Sequence, residues 1–338
     1  MAFDRLDPAP PLPPMEAKAV AELPSGEGWQ FEPKWDGFRC LVFRDGESVE
    51  LQSKAGRPLG RYFPEVVALV RGLAEARFVL DGELIIRMGG ALSFDALQMR
   101  LHPAESRIRK LAAATPAALI LFDCLAVGRR TLIGRPLAER RTALEAFHAA
   151  AARPGLDLSP CTVDRETALG WLGQAGKALD GVVAKRRDEA YRSGERAMLK
   201  VKPVRTADCV VGGFRYAAKE RVVGSLLLGL YKSDGLLDHV GFTSALPLAE
   251  RRVLTPRLEK LVAPPGFTGD APGGRSRWST DRSAAWQPLR PELVVEVGYD
   301  QVTAGRFRHG TRFVRWRPDK APAQCTTEQL VFDRPMLR

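Results

Sequence analysis

The sequence of 338 residues contains no apolar run approaching the ~18 residues that a membrane-spanning helix requires. Its amino terminus, MAFDRLDPAPPLPP, also lacks the apolar stretch of a signal peptide. Together these absences predict a folded chain of the cytoplasm. Cysteine is sparse. Cys40, Cys124, Cys161, Cys209 and Cys325 are odd in number, far apart and never in a Cys-x-x-Cys pair. That argues against a disulfide framework and against a cysteine zinc site, and leaves them as small core residues. No internal repeat is present. Acid is also in deficit: 40 Asp plus Glu stand against 51 Lys plus Arg, a formal charge of +11. A polyanion is the natural partner of such a chain, and a basic, well-solvated surface is the plainer alternative. The charge becomes informative where it is localised.

What is present suits two domains, with 45% hydrophobic residues to build both cores. Five prolines in residues 1–14 predict a poorly ordered or extended lead-in. Residues 15–203 then read as a first domain. Residues 38–44 and 48–53 are β-prone runs joined through Asp45-Gly46, a hairpin signal, which places Lys34 in the loop that feeds the hairpin. Apolar residues at Phe63, Val66, Val67, Val70 and Leu73 have helical spacing. Strands are expected at 78–86, around Asp81-Gly82-Glu83, and at 118–125, around Phe122-Asp123. Helices are expected at 137–152 and 165–178. Residues 180–185 form a β-prone run that ends in charge. Met198-Leu199-Lys200-Val201-Lys202 alternates, so Lys200 and Lys202 share one strand face while Leu199 and Val201 face a core.

The pattern changes after Pro203. Beyond a linker at 203–206, residues 204–338 offer strand-like runs at 209–216, 225–231, 237–242, 293–298 and 312–316, with a helical run at 247–262. Five short strands and one helix suggest a small barrel of the OB type or a generic small α+β domain. Residues 264–291, rich in Gly, Pro and Ser, read as an exposed loop.

The chemistry centres on Phe31-Glu32-Pro33-Lys34-Trp35-Asp36-Gly37-Phe38-Arg39. A lysine attacks only as the neutral amine, a minor species at neutral pH, so a nucleophile at Lys34 needs cationic neighbours or a metal beside it. Each candidate motif has a plainer reading by itself. Lys34-x-Asp36-Gly37 and Asp180-Gly181 could be turns, Glu83 a solvated strand residue, Phe122 core, and Lys200 with Lys202 the wet face of an edge strand. Together they supply a lysine nucleophile, acids for a metal or a ribose, an aromatic beside an acid and a paired-lysine strand, in the order a nucleotidyl-transfer site would use. Mg²⁺ prefers one or two carboxylates with phosphate oxygens and water, which Glu83 and Asp180 could supply. Lys200 and Lys202 would neutralise charge growing on an α-phosphate.

The ordered series Lys34-Trp35-Asp36-Gly37-Phe38-Arg39, Ser53-Lys54-Ala55-Gly56, Asp81-Gly82-Glu83, Phe122-Asp123, Asp180 to Lys185, and Lys200-Val201-Lys202 resembles the motif set of covalent nucleotidyltransferases, specifically ATP-dependent DNA ligases. Arg312 to Lys320, ending Arg317-Pro318-Asp319-Lys320, is similar to their carboxy-terminal motif. The likeness spans residues 15–320 and is strongest to compact bacterial ligases of the ligase C type and the ligase part of ligase D. It implies an α+β fold: an adenylation domain of antiparallel sheets with flanking helices, then an OB-type barrel. It also implies ATP and Mg²⁺ or Mn²⁺ as cofactors, and nicked duplex DNA as substrate. Polymerase- or primase-type repair enzymes would be further partners, and the protein would act as a monomer at the bacterial nucleoid.

By the same resemblance Lys34 forms the lysyl-AMP, and Glu32 lies near the base on which Phe122 stacks. Arg39 and Glu83 contact the ribose, or Arg39 the nick phosphate. Asp180 and Lys185 belong to the metal and phosphate side, with Glu83 as a further metal ligand, and Lys200 and Lys202 contact the α-phosphate. Ser53 and Lys54 meet DNA phosphate. Arg317, Asp319 and Lys320 act on the pyrophosphate when the second domain closes. The family usually has Glu where this chain has Asp180, which keeps the charge and shortens the reach. Independently, Arg306, Arg308, Arg312, Arg315, Arg317 and Lys320 face the single acid Asp319 in their own run, which reads as a phosphate-backbone surface on a small barrel, with a solvated charged strand as the plainer alternative. An RNA ligase or capping guanylyltransferase shares much of the motif set, and a non-catalytic nucleic-acid-binding module is the alternative from another class. An NAD-dependent ligase is disfavoured by the missing cysteine ligands.

Overall fold

A computed structural model describes residues 3–174, 179–203, 205–218, 220–244, 246, 248–273, 285–303, 305–308 and 310–330. The chain divides into two compact units, Met1–Pro203 and Val204–Arg338.

In chain order the first unit comprises β1 (Ala17–Ala19), β2 (Trp29–Trp35), β3 (Phe38–Asp45), β4 (Ser48–Ser53), α1 (Pro64–Arg71), β5 (Arg77–Met88), β6 (Ala91–Leu92), α2 (Phe94–Arg100) and α3 (Glu105–Ala114). It continues through β7 (Ala117–Val127), β8 (Arg130–Thr131), α4 (Leu137–Ala151), β9 (Leu156–Leu158), α5 (Arg165–Gln174), β10 (Leu179–Arg186) and β11 (Met198–Val201). The larger sheet runs β4-β3-β5-β7-β8, with β6 beside β5 and β9 parallel to β7. The smaller runs β1-β11-β10-β2. Strand alternation buries both faces of the larger sheet: Cys40 and Val42 join one core with Phe63, Val66 and Leu144, whereas Leu41 and Phe43 join another with Leu125 and Met198.

The lead-in differs from its expectation, because residues 3–15 pack against that second core. Leu6, Leu12 and Met15 are buried there. The Gln52 side chain fixes the backbone, accepting from the Leu12 N–H at 3.0 Å and donating to the Leu12 carbonyl at 2.6 Å. Apolar residues spaced between the prolines supply the burial that a purely compositional reading overlooks.

Lys34 also sits elsewhere than expected. It lies within β2, opposite Gly181 of β10, rather than in a loop. β2 is the edge of its sheet, where Pro33, lacking an N–H, breaks no ladder, so the strand continues through Lys34 almost to the hairpin. The hairpin of β3 and β4 matches the expectation. The helix expected to reach residue 178 extends to Gln174, and residues 175–178 lie outside those described.

The second unit contains β12 (Arg205–Tyr216), β13 (Val223–Tyr231), β14 (Leu237–Thr243), α6 (Leu248–Glu259), β15 (Gln287–Pro288), β16 (Val294–Tyr299), β17 (Val302–Thr303), β18 (Arg306–Phe307) and β19 (Arg312–Trp316). The sheet order β14-β13-β12-β16-β19 brings its two ends together at Thr243 and Thr311. There the Thr243 hydroxyl donates to the Thr311 carbonyl at 2.9 Å, and the sheet curls into the OB-type barrel. Val210, Phe214, Leu228 and Leu258 fill it. β12 begins at Arg205, so the expected linker is shorter than residues 203–206. The expected loop at 264–291 contains β15, and its residues 274–284 lie outside those described. Among the described residues no helix is long and apolar enough to cross a membrane.

Candidate active site

A cavity of about 790 Å³ opens within the first unit, lined by Glu32 and Lys34 of β2, Arg39 of β3, Glu83 of β5, Phe122 of β7 and Lys200 of β11. Strand geometry brings them together, since each projects from the sheet face that looks into the cavity.

At one end Lys34 forms an ion pair with Asp180, and Lys202 reaches the same carboxylate at 3.0 Å. Asp180 is buried, and Gly181 behind it is required by close packing. Its φ is +140°, and a Cβ there would collide with the Val201 carbonyl of β11. Lys200, which also lines the cavity, has its pKa lowered first by burial and then by repulsion from Lys34, Lys202 and Lys54. Three lysines around one carboxylate form a site for additional negative charge. As the alternation predicts, Leu199 and Val201 turn to the opposite side, against Val182 and Ala168.

Glu83 stands half-buried on the facing wall. Burial pushes its carboxyl up to about 7, and the charges of Lys34 and Arg39 oppose that rise. No cluster of three or more metal-type ligands occurs among the described residues. The residues nonetheless fit Mg²⁺, because that ion takes one or two carboxylates and completes its shell with phosphate oxygens and water.

The other end is a buried ion pair. The Lys185 ammonium donates to Glu32 Oε2 at 2.7 Å, Gln30 Nε2 donates to Glu32 Oε1 at 2.8 Å, and Lys185 lies 4.7 Å from the centre of the Phe122 ring. Lys185 therefore stands with Glu32 and Phe122, unlike the expectation that grouped it with Asp180. Five residues of extended chain, about 17 Å, carry it to the other end of β10.

Arg39 is fixed by Asp81, which accepts from its Nε and from one terminal nitrogen at 2.6 Å each. Burial pulls the Arg39 pKa down, but the neighbouring Asp81 charge overrides that and raises it. Asp81 also accepts from the Tyr191 hydroxyl at 2.7 Å, and that hydroxyl in turn accepts from the Met15 N–H at 2.9 Å. The sequence reading left Asp81 and Tyr191 out of the site. Asp81 carried a signal, an acid inside an apolar strand, whereas Tyr191 lies in an irregular segment and carried none. Asp123 shows the same logic: it is buried in β7 and paired with Arg140 of α4 at 2.8 Å. Near the cavity mouth, Ser53 accepts from the Arg57 N–H at 2.9 Å and Lys54 pairs with Glu16 at 3.0 Å.

In the second unit the basic run is more balanced than its own sequence suggests. Arg315 pairs with Glu296 at 2.7 Å, while Arg317 and Lys320 both reach Asp208 at 2.8 Å. These acids come from other strands, so the count against Asp319 alone overstated the local charge. Arg306 donates to the His239 carbonyl at 3.0 Å, Arg308 pairs with Gln301, and Arg312 is exposed.

Comparison with known proteins gives a consistent result. Residues 14–202 match the family model described as the ATP dependent DNA ligase domain, and residues 219–320 match its C terminal region. DNA ligase C of Mycobacterium tuberculosis is 46% identical over 344 residues, covering 97% of this chain and 95% of that protein. DNA ligase C2 of Mycolicibacterium smegmatis is 47% identical over 337 residues, covering 95% and 94% respectively. Among solved structures, mycobacterial DNA ligase D complexed with ATP and MES superposes with a TM-score of 0.51 at 28% identity, covering 93% of this chain and 98% of that one.

Proposed function

The chain belongs to the ATP-dependent DNA ligase family, and from that premise we propose that it seals nicks in duplex DNA, joining a 3′-hydroxyl to a 5′-phosphate in the course of DNA repair. Lys34 Nζ attacks the α-phosphorus of ATP, forming a P–N bond as the bond to pyrophosphate breaks. The 5′-phosphate of the nick then takes AMP from the lysine, and the 3′-hydroxyl displaces AMP to close the strand. The observation that carries this reading is the placement of Lys34, at the wall of a cavity and against a carboxylate shared with Lys202.

Each residue has a part. Asp180 orients the Lys34 amine and is the nearest acceptor for its proton. Lys200 and Lys202 offset the charge that grows on the α-phosphate. The pair of Glu32 and Lys185 presents a fixed polar edge to the adenine, and Phe122 its ring. Arg39, held rigid by Asp81, contacts the ribose or the nick phosphate. Glu83 and Asp180 would hold a divalent ion, which when bound supplies charge neutralisation to the phosphate oxygens. Ser53, Lys54, Arg306, Arg308, Arg312 and Arg315 contact the DNA backbone. Arg317, Asp319 and Lys320 act on the departing pyrophosphate. Binding that runs mainly through phosphates predicts steep salt dependence and little sequence preference. The protein works as a monomer at the nucleoid, alongside polymerase- or primase-type repair enzymes.

The test is sealing of a labelled nicked duplex with ATP or GTP, on DNA and on RNA. ATP-dependent closure of nicked DNA is expected. Transfer from GTP without DNA closure, or closure of RNA alone, would replace this reading with a capping or RNA-ligase activity.

A further inference from the structure

We infer that Asp208, outside every motif of the sequence, is a positioning residue for Arg317 and Lys320; this rests on the reading that those two cations handle the pyrophosphate of ATP. Asp208 lies on β12, directly opposite Glu296 of β16, and its side chain is 11% exposed. It accepts two bonds from one terminal nitrogen of Arg317, at 2.8 and 3.0 Å, and one from the Lys320 ammonium at 2.8 Å. Its backbone is locked as well. The Asp208 N–H donates to Gln329 Oε1 at 3.0 Å, and its carbonyl accepts from Gln329 Nε2 at 3.1 Å.

Two cations aimed at one polyanion repel each other when it is absent. A carboxylate shared between them sets both side chains before the ligand arrives, which removes an ordering cost from binding. Asp319 is a weaker candidate for that task. It grips Arg317 through Nε and the other terminal nitrogen, but it is 61% exposed, where ion pairs contribute little. Asp208 takes only one of the three Lys320 protons, so the ammonium keeps donors for phosphate.

A positioning role has a step-specific signature. Pyrophosphate leaves only during adenylation of Lys34, and closure of a nick that already carries AMP does not involve it. The experiment compares full-length wild type, D208A, D208N and R317A in two assays, ATP-dependent adenylation with kcat and KM resolved, and single-turnover closure of pre-adenylated nicked DNA. D208A should lose about tenfold or more in adenylation, mainly in kcat, with closure unchanged. D208N, which keeps an acceptor oxygen and the local shape, should fall between D208A and wild type and keeps the test open if D208A folds poorly. Equal losses in both assays would assign Asp208 a purely structural role and overturn the inference, and unchanged or faster adenylation would overturn it too. R317A separates the premise from the inference. If R317A adenylates normally, the pyrophosphate reading fails; if R317A is slow while both Asp208 variants are normal, only the positioning role fails.

Discussion

Replacing Asp81 by Asn should destabilise the first unit and loosen Arg39 at once. Asp81 is fully buried and accepts three bonds, two from Arg39 at 2.6 Å and one from the Tyr191 hydroxyl at 2.7 Å. Asparagine has one acceptor oxygen and turns two donors toward groups that are themselves donors. At least one bond is lost, and the guanidinium, 20% exposed, keeps its charge without its hydrogen-bonded counter-ion. Breaking a buried pair from one side costs about 3–5 kcal/mol. For a unit of this size, at roughly 2–4 °C per kcal/mol, the melting temperature should fall by about 6–20 °C. Thermal unfolding followed by circular dichroism measures this directly. The pair should also couple, so that R39A combined with D81A costs less than the sum of the two single changes. A fall below about 2 °C for D81N, or strict additivity in the double variant, would refute the claim that this pair is a closed buried unit.

The Glu83 carboxyl is raised to about 7 from an ordinary value of 4.5, so between those values the folded protein holds more protons than the unfolded chain. Its contribution to stability therefore falls as pH rises through that window, and E83Q should flatten that part of a denaturation profile taken from pH 4 to pH 8. G181A should lose about 2 kcal/mol or more in urea unfolding, because its φ of +140° and the Val201 carbonyl leave no room for a methyl group. Q52A should free the lead-in, costing about 1–3 kcal/mol for the unpaired Leu12 groups and exposing residues 3–12 to proteolysis.

Much of the site is legible in the sequence. Alternation alone set Lys200 and Lys202 on one face and put Leu199 and Val201 into a core, because a strand offers only two sides. The hairpin at Asp45-Gly46 was equally local. Two expectations differ from the fold. The hairpin signal put Lys34 in a feeding loop although β2 carries it, and the prolines of the lead-in masked Leu6 and Leu12, which are buried. What stayed hidden depends on distant partners. Asp208 and Arg317 are 109 residues apart, and Asp81 and Tyr191 are 110 apart. No periodicity links such pairs; only the completed sheets bring them together. Likewise the basic run looked unopposed because Glu296 and Asp208 belong to neighbouring strands.

The central claim is that Lys34 is the nucleophile, and the covalent state of that one side chain tests it. Wild-type protein, stripped of any bound AMP with pyrophosphate and then given ATP and Mg²⁺, should gain the mass of one AMP, and peptide mapping should place it on Lys34. Subsequent addition of nicked DNA should remove it. K34A should gain nothing while remaining folded. A stable AMP adduct on another residue, or closure of nicks by K34A at the wild-type rate, would contradict the account.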